Sequence, residues 1–424
     1  MIAHSPLHTN PPGAQRLFAG RGPGLTEHHT RFGALPTHPA EQVVASLHAA
    51  GLTGRGGAGF PTGRKIDSVT GGGAVVIGNG AEGEPLSQKD AMLLTRAPHL
   101  VVDGLQVCAS TVGADRVYLY VPERISPAVR KALDERVAAG VDPRRVTLVE
   151  ASDTFVAGEE SAVVRRLEGG PALPRDRTVP TSISGVRGRP TLVNNVETLA
   201  HVALIARYGP QWFRSVGDPE DPGTVLITLS GAVSRRGVME LPTGTPLADV
   251  LAAGGLTDLR TARAVLTGGY HGSWIPAANL TDARLSRAGL RACGATPGAG
   301  IIHVLAADQC GLAHTAGIVA YLADHGARQC GPCRNGLPRL AELCDELAYG
   351  RVDDGQIREL HRMLGLVDGR GACRHPDGTI RMVRSALNAF ADDIAHHRAG
   401  RCSAALVTAR SADRRGPRRA VEIA

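Results

Sequence analysis

The sequence predicts an α/β domain followed by a β-grasp module and a small helical bundle, and three observations carry that prediction. Between residues 39 and 216, short apolar runs ending in glycine, asparagine and glutamate turns alternate with segments of helical spacing. Between 223 and 306 the order is strand, tight turn, strand, helix, strand. From 307 to 397 the apolar residues recur at helical spacing with no strand-like run, as expected of a bundle.

Taken in order, residues 1–38 are rich in His, Pro and Gly and are expected to be loosely ordered. Pro39 to Leu47 has helical spacing. It leads into Gly54-Arg55-Gly56-Gly57-Ala58-Gly59-Phe60-Pro61-Thr62-Gly63, with Arg64-Lys65 directly after. Glycines let backbone N–H groups converge on phosphate oxygens, and a helix opening at Pro61 adds its positive end, so this run suits a phosphorylated ligand. Gly54, Gly56 and Gly59 also satisfy G-x-G-x-x-G. The dinucleotide fingerprint, however, needs a strand before it and a helix after it, and here a helical pattern precedes and Pro61 interrupts.

Ala74-Val75-Val76-Ile77 reads as a buried strand ending in Gly78-Asn79-Gly80-Ala81-Glu82-Gly83-Glu84-Pro85, at the end of a strand where open α/β sheets bind ligands. By themselves Glu82 and Glu84 would be ordinary solvated loop carboxylates. Two further turns of the same character, Ala157-Gly158-Glu159-Glu160-Ser161 and Gly188 to Thr198 with Asn194-Asn195 inside it, each precede a helical pattern. In the second region Thr224 to Gly231 reads as a strand, Gly237 to Pro242 as its partner, and Thr245-Pro246 as a threonine cap with proline at the first helical position.

The four glycine, amide and carboxylate segments, in this order, resemble the FMN- and NADH-binding subunit of respiratory NADH:quinone oxidoreductase (complex I), a family shared with the diaphorase subunits of NAD-linked hydrogenases and formate dehydrogenases. The agreement runs from about Pro39 to about Ala395. It implies a Rossmann-like FMN/NAD-binding domain over 39–216, an SLBB (ubiquitin-like) β-grasp domain over 223–306 and an iron–sulfur-binding helical bundle over 307–397, and the arginine-rich composition after Gly400 predicts a disordered basic tail over 398–424. By this resemblance Gly54, Gly56, Gly57, Gly59, Phe60 and Lys65 lie along the flavin phosphate and the dinucleotide. Asn79, Gly158, Glu159, Asn194, Asn195 and Thr198 hold FMN, and Glu82, Glu84 and Glu160 face NADH. Lys65, Lys89 and Lys131 are the only lysines among 47 basic residues, and two of them lie in or beside these loops, where a compact ammonium acts as a point charge.

The departures concern the nucleotide. Relatives have an aspartate where this chain has Ala81, an aromatic at Gln88, an arginine at Ala91 and a tyrosine at Phe155. Around Arg175 to Pro180 they show a lysine and a stacking phenylalanine, whereas this chain is shorter there and has Val179. The losses bear on NADH more than on FMN.

The bundle carries a second constellation. Cys330-Gly331-Pro332-Cys333 opens a helix and Cys373 precedes the helical stretch Arg381 to His396, so three thiolates sit at helix starts. A thioredoxin-type redox pair belongs next to a βαβ pattern, which is absent here, and a zinc site is the other alternative. The family resemblance implies a [4Fe-4S] cluster, but Ala327 stands where its first cysteine belongs. Either a substitute completes the site, with His325 and Cys310 nearest in sequence, or the cluster is labile or lost. Cys108, Cys293 and Cys402 read as ordinary thiols, and Cys344 lies too far along its helix to join.

The net charge of +7 is an arginine bias with 3% aromatic residues and no nucleic-acid-reading motif, so no nucleic-acid partner is expected. No apolar run of 18 residues and no secretory h-region is visible, which gives a cytoplasmic expectation without a direct membrane span, peripheral to the inner membrane through partners. The expected partners are a thioredoxin-like [2Fe-2S] subunit, a ferredoxin or a membrane reductase. The expected activity is NADH oxidation through FMN to an iron–sulfur centre. The rival is a non-catalytic scaffold that retains fold and docking surfaces.

Overall fold

The structure, a computed structural model, describes residues 15–404 except 71, 177, 178 and 351. Two helices, α1 (Leu25–Phe32) and α2 (Ala40–Ala50), precede α3 (Thr62–Asp67) and the first sheet. That sheet contains β1 (Val75–Asn79), β2 (Arg116–Pro122), β3 (Val146–Ala151) and β4 (Thr191–Asn195), all parallel, in the order β3-β2-β1-β4. Between them run α4 (Lys89–Arg96), α5 (Pro98–Thr111), α6 (Ser126–Ala139) and α7 (Glu160–Leu167), and α8 (Val196–Arg214) follows β4.

Side chains along β1 alternate as a two-sided parallel sheet requires. Val76 enters the larger core with Leu105, Leu119 and Leu199, and Val75 and Ile77 enter a smaller core with Tyr120, Val163 and Val193. The chain builds outward from β1 to β2 and β3, then returns to add β4 on the other side of β1. The carboxyl ends of β1 and β4 therefore flank a topological switch point, the place where such a sheet offers a ligand crevice, and α5 and α8 pack together on one face beneath it.

A two-residue ladder, β5 (Gly217–Asp218) with β6 (Asp221–Pro222), leads to the second sheet. Its strands are β7 (Thr224–Gly231), β8 (Gly237–Pro242), β9 (Ala262–Thr267), β10 (Ser273–Pro276) and β11 (Ile301–Ala306), ordered β10-β9-β11-β7-β8. The last strand pairs parallel with the first, which is the β-grasp topology, and α9 (Leu247–Ala253) fills the concave face with Leu247, Val250 and Leu251. Thr245 does not cap α9 as the sequence suggests. Its hydroxyl donates to the Pro242 carbonyl, and Pro246 holds the cap position.

A short α10 (Arg287–Arg291) lies between β10 and β11. The helices α11 (Gly311–Asp324), α12 (Leu337–Tyr349), α13 (Asp354–Val367), α14 (His375–Ala389) and α15 (Ala391–Arg398) then form the bundle. The bundle shares one core with the outer face of the second sheet, where Trp274 meets Phe390 edge to face at 5.4 Å and Ala264 and Leu266 complete the contact. Helix α14 begins at His375, six residues before the start read from spacing, because Pro376 fits its first turn.

The loose order expected of residues 1–38 does not hold for those described. Leu17 has no exposed surface, the Arg16 guanidinium lies 3.9 Å from the Trp212 ring centroid, and the Glu240 carboxylate on β8 accepts the backbone N–H groups of Arg16, Leu17 and Phe18 at 3.0–3.3 Å. Composition missed this because the anchoring carboxylate comes from a strand more than two hundred residues away. Residues 1–14 of that segment and 405–424 of the tail lie outside the described residues. Among the described residues no helix is long and apolar enough to cross a membrane.

Candidate functional site

The glycine run folds as a pinched loop. Gly54 N–H donates to Phe60 O at 2.9 Å and Thr62 N–H to Leu52 O at 2.9 Å, so the intervening glycines protrude, with Gly56 against Asn195 at the end of β4. Gly57 and Gly59 have φ of 113° and 62°, which side chains resist, and a Cβ on Gly59 would collide with the Arg287 guanidinium. Arg287, from α10, donates to Gly57 O at 3.3 Å and braces the loop from the second domain. Phe60 is 53% exposed at the loop's far end.

Thr198 accepts the Arg55 N–H at 2.8 Å and is buried. It fixes the loop from beneath, and the Arg55 side chain reaches Asp221 and Pro222 O at 3.2 and 3.0 Å. Lys65, in the last turn of α3, holds its ammonium 2.5 Å from Val193 O on β4 and 3.6 Å from Glu160, and stays 28% exposed. Glu160 also accepts the Thr181 hydroxyl at 2.5 Å.

The asparagines differ in what they leave available. Asn79 at the end of β1 donates to Gly158 O at 2.9 Å and accepts from Ala81 N–H at 3.1 Å, so it joins the second loop to the third. Asn195 caps α8 through Glu197 N–H at 2.9 Å and donates to Asp90 at 2.6 Å, which commits its side chain to the protein. Asn194 is different. Its amide nitrogen is buried with no oxygen or nitrogen partner, and it meets the Cys108 thiol, which burial pushes up and this contact lowers by less. Glu159 caps α7 by accepting from Ser161 and Ala162 N–H at 2.8 and 3.1 Å.

Beneath these loops lies a group that the motif reading did not single out. Lys89 is buried between Asp90 at 2.7 Å and Glu197 at 2.8 Å. Burial alone would lower the ammonium's pKa, but the two carboxylates outweigh it and hold the charge. Asp90 in turn receives Asn195, so the charge pair fixes the end of β4. The only signal in the sequence was the rarity of lysine.

Glu82 and Glu84 stand apart from the asparagines. They line a second cavity of about 650 Å³ with Gln88, Arg124, Tyr321 and His325. The Glu82 side chain is only 3% exposed. It accepts from the Ser87 hydroxyl at 2.5 Å and from the N–H groups of Asp90 and Ala91 at 3.0 and 3.2 Å, so it serves the N-terminus of α4. Glu84 accepts from Tyr270 N–H at 2.8 Å through one oxygen, and its other oxygen is buried without a partner. Burial, with Glu82 nearby, pushes its carboxyl up to about 7.

Tyr321 and His325 stack at 4.0 Å on the cavity wall, and Val179 is 43% exposed. Arg177 and Thr178 lie outside the described residues.

Cys330, Cys333 and Cys373 line one cavity of about 600 Å³, and Ala327 lines it with them. Gln329 ties this cavity to the first domain through Pro174 O at 2.7 Å and Arg165 at 3.1 Å. Burial and the neighbouring Cys333 thiol push Cys373 up to about 11, and burial with the neighbouring Cys330 thiol raises Cys333.

Neither substitute ligand named from proximity in sequence lines this cavity. His325 faces the Glu84 cavity, and Cys310 sits with His397 and Cys402. Cys402 is thus not an isolated thiol. Between the two cavities lies an aromatic group in which Phe155 packs on His271 at 4.7 Å, His375 at 5.5 Å and Tyr321 at 6.1 Å.

Comparison with known proteins follows the order of the three structural regions. The Nuo51 FMN-binding domain matches residues 47–204, the SLBB domain 226–269, and the NADH-ubiquinone oxidoreductase-F iron-sulfur binding region 313–397. The second F-type subunit of NADH-quinone oxidoreductase from Rhizobium meliloti is 30% identical over 388 residues, spanning 87% of this chain and 92% of its own length. The NADP-reducing hydrogenase subunit HndC of Solidesulfovibrio fructosivorans is 30% identical, with 88% and 79% covered. A crystal structure of an NAD+-reducing [NiFe]-hydrogenase in the H2-reduced state superposes with a TM-score of 0.77 at 28% identity, covering 91% of this chain and 70% of that one. With three domain matches in the order of the fold and relatives matched over most of their length, the chain belongs to the Nuo51 family, the F-type subunits of NADH-quinone oxidoreductase.

Proposed function

We propose that the crevice between the ends of β1 and β4 seats FMN and that the adjoining Glu84 cavity receives NADH, with electrons leaving by way of an iron–sulfur centre held by Cys330, Cys333 and Cys373. The observation that carries this reading is the convergence of the glycine loop, Lys65 and the buried Asn194 amide on one topological switch point. FMN, when bound, accepts a hydride and gives up electrons singly, which is what couples a nicotinamide to one-electron carriers.

The chain's own groups bind and orient. Lys65 offers a point charge to a phosphate, and Asn194 offers a donor to a carbonyl or hydroxyl of the flavin. Gly57 and Gly59 keep backbone N–H groups open at the loop crest, and Arg287 holds that crest in place. Thr198, Asn195 and Glu159 act behind these contacts as supports for the loop and two helix starts. Arg124, half exposed at the cavity mouth, suits the anionic pyrophosphate of a dinucleotide. Glu84 adds negative charge to the cavity wall as it ionises and disfavours the extra charge of a 2′-phosphate, so NADH is preferred to NADPH.

Three thiols facing one cavity fit an iron–sulfur centre with one iron left to a non-cysteine ligand or solvent, because Ala327 supplies nothing. Cys330, Cys333 and Cys373 would hold such a centre, which would supply one-electron transfer to a docked redox protein, a thioredoxin-like [2Fe-2S] subunit, a ferredoxin or a membrane reductase. Ala327 is also the one observation that favours the scaffold reading. Heat-released supernatant should contain FMN, or the apoprotein should take it up. If neither happens, the flavin assignment fails.

A further inference from the structure

Far from both cavities, the polar chemistry of three residues meets at the end of the bundle. Cys310 is the N-cap residue of the fourteen-residue helix α11, His397 lies in the last turn of α15, and Cys402 follows a turn at Gly400 that folds the chain back. Their two sulfurs and one imidazole nitrogen all lie within 4.8 Å of one another, and all three residues are half-buried. Cys310 also packs against the bundle core, yet its sulfur still meets the other two ligand atoms.

We propose that Cys310, His397 and Cys402 form a metal site for a single divalent ion of the zinc class, separate from the cavity of Cys330, Cys333 and Cys373.

Three observations support it. First, the Cys310 Sγ to His397 Nε2 separation is 3.6 Å. Bonds of about 2.3 Å to sulfur and 2.0–2.1 Å to nitrogen at a tetrahedral angle require about 3.6 Å between those atoms.

Second, His397 is oriented as a ligand. Its Nδ1 lies 3.2 Å from the Leu347 carbonyl of α12, and donation there leaves the Nε2 lone pair facing Cys310. Metal-bound histidines are held in this way. Third, Cys310 stands where the N–H groups of α11 point, a position that favours a thiolate. Burial and the neighbouring Cys402 thiol push the other way and raise the Cys310 thiol, so its proton leaves as the metal arrives.

Two thiolates and an imidazole select a borderline-soft ion over magnesium or calcium. Binding releases the two thiol protons to solvent and leaves the metal's oxidation state unchanged. Among the described residues the group has three members, so the fourth position goes to water. The ion would fasten the start of α11, where the chain leaves the second sheet, to the end of α15 and, through Leu347, to α12.

The test is anaerobic titration of the reduced full-length protein with Co2+, which reports thiolate coordination through its charge-transfer and visible d–d bands, alongside zinc analysis of protein prepared in zinc. Flavin absorbance serves as the folding control. The expected result is one bound metal that persists in Cys333→Ser, is lost in Cys402→Ser, and is weakened about tenfold or more in His397→Gln, the size that loss of an imidazole contact implies. Equal binding by wild type and Cys402→Ser overturns the proposal. So does a Cys310–Cys402 disulfide, found by non-reducing mass spectrometry in protein prepared with zinc.

Discussion

Replacing Glu84 with glutamine should remove a pH dependence from NADH binding. Glu84 is buried against Glu82, and its carboxyl is pushed up to about 7 from 4.5. A difference of that size corresponds to about 3 kcal/mol between its two protonation states. If the dinucleotide, an anion, binds only the neutral form, the half-saturation concentration scales inversely with the protonated fraction. It should then rise about tenfold between pH 6 and pH 8 in the wild type, following a single ionisation near 7.

Stability should change in the same window. The folded protein holds this proton between 4.5 and about 7 whereas the unfolded chain does not, so stability falls as pH rises through that range, and Glu84→Gln should flatten this component. The assay is stopped-flow bleaching of the bound flavin over a range of NADH concentrations at each pH. A wild-type profile that is flat from pH 6 to 8, or an unchanged profile in Glu84→Gln, would refute the reasoning.

Three further outcomes follow from the same geometry. Lys65→Glu should weaken FMN uptake about tenfold to a hundredfold by removing a charge-assisted contact and adding repulsion, as read by fluorescence quenching on reconstitution. Ala327→Cys should raise iron toward about four per chain and slow its loss in air, as measured by iron and sulfide analysis. Leu17→Ala should destabilise the first domain by about 2–5 kcal/mol, seen as an earlier urea transition, because Leu17 is fully buried beside Phe213 and Val238.

Legibility in the sequence followed the range of the interactions involved. The glycine loop, the strand ending at Asn79 and the β-grasp order were readable because turn chemistry and alternation are local, whereas Gly188 to Thr198 reads as a turn and in fact contains strand β4. What was not readable depended on distant partners. Leu17 finds its place only because Glu240 of β8 is there to accept three N–H groups. Glu82 looked like a loop carboxylate open to a nucleotide until α4 came round to place the N–H groups of Asp90 and Ala91 on it.

His325 and Cys310 are near Cys330 in sequence, yet α11 carries them to other surroundings. The Cys310 group was hidden for the same reason. Its ligands are separated by more than eighty residues, and only the spacing of His397 and Cys402 at one turn hinted at it.

The claim that an NADH-reactive flavin sits at the β1/β4 crevice is tested most directly by anaerobic titration of the purified, FMN-loaded chain with NADH under a visible spectrometer. The account predicts that the flavin band bleaches on addition of NADH, followed by partial bleaching of the broader iron–sulfur absorption. Flavin that stays oxidised with millimolar-range NADH but bleaches with dithionite would contradict it and leave the chain a scaffold.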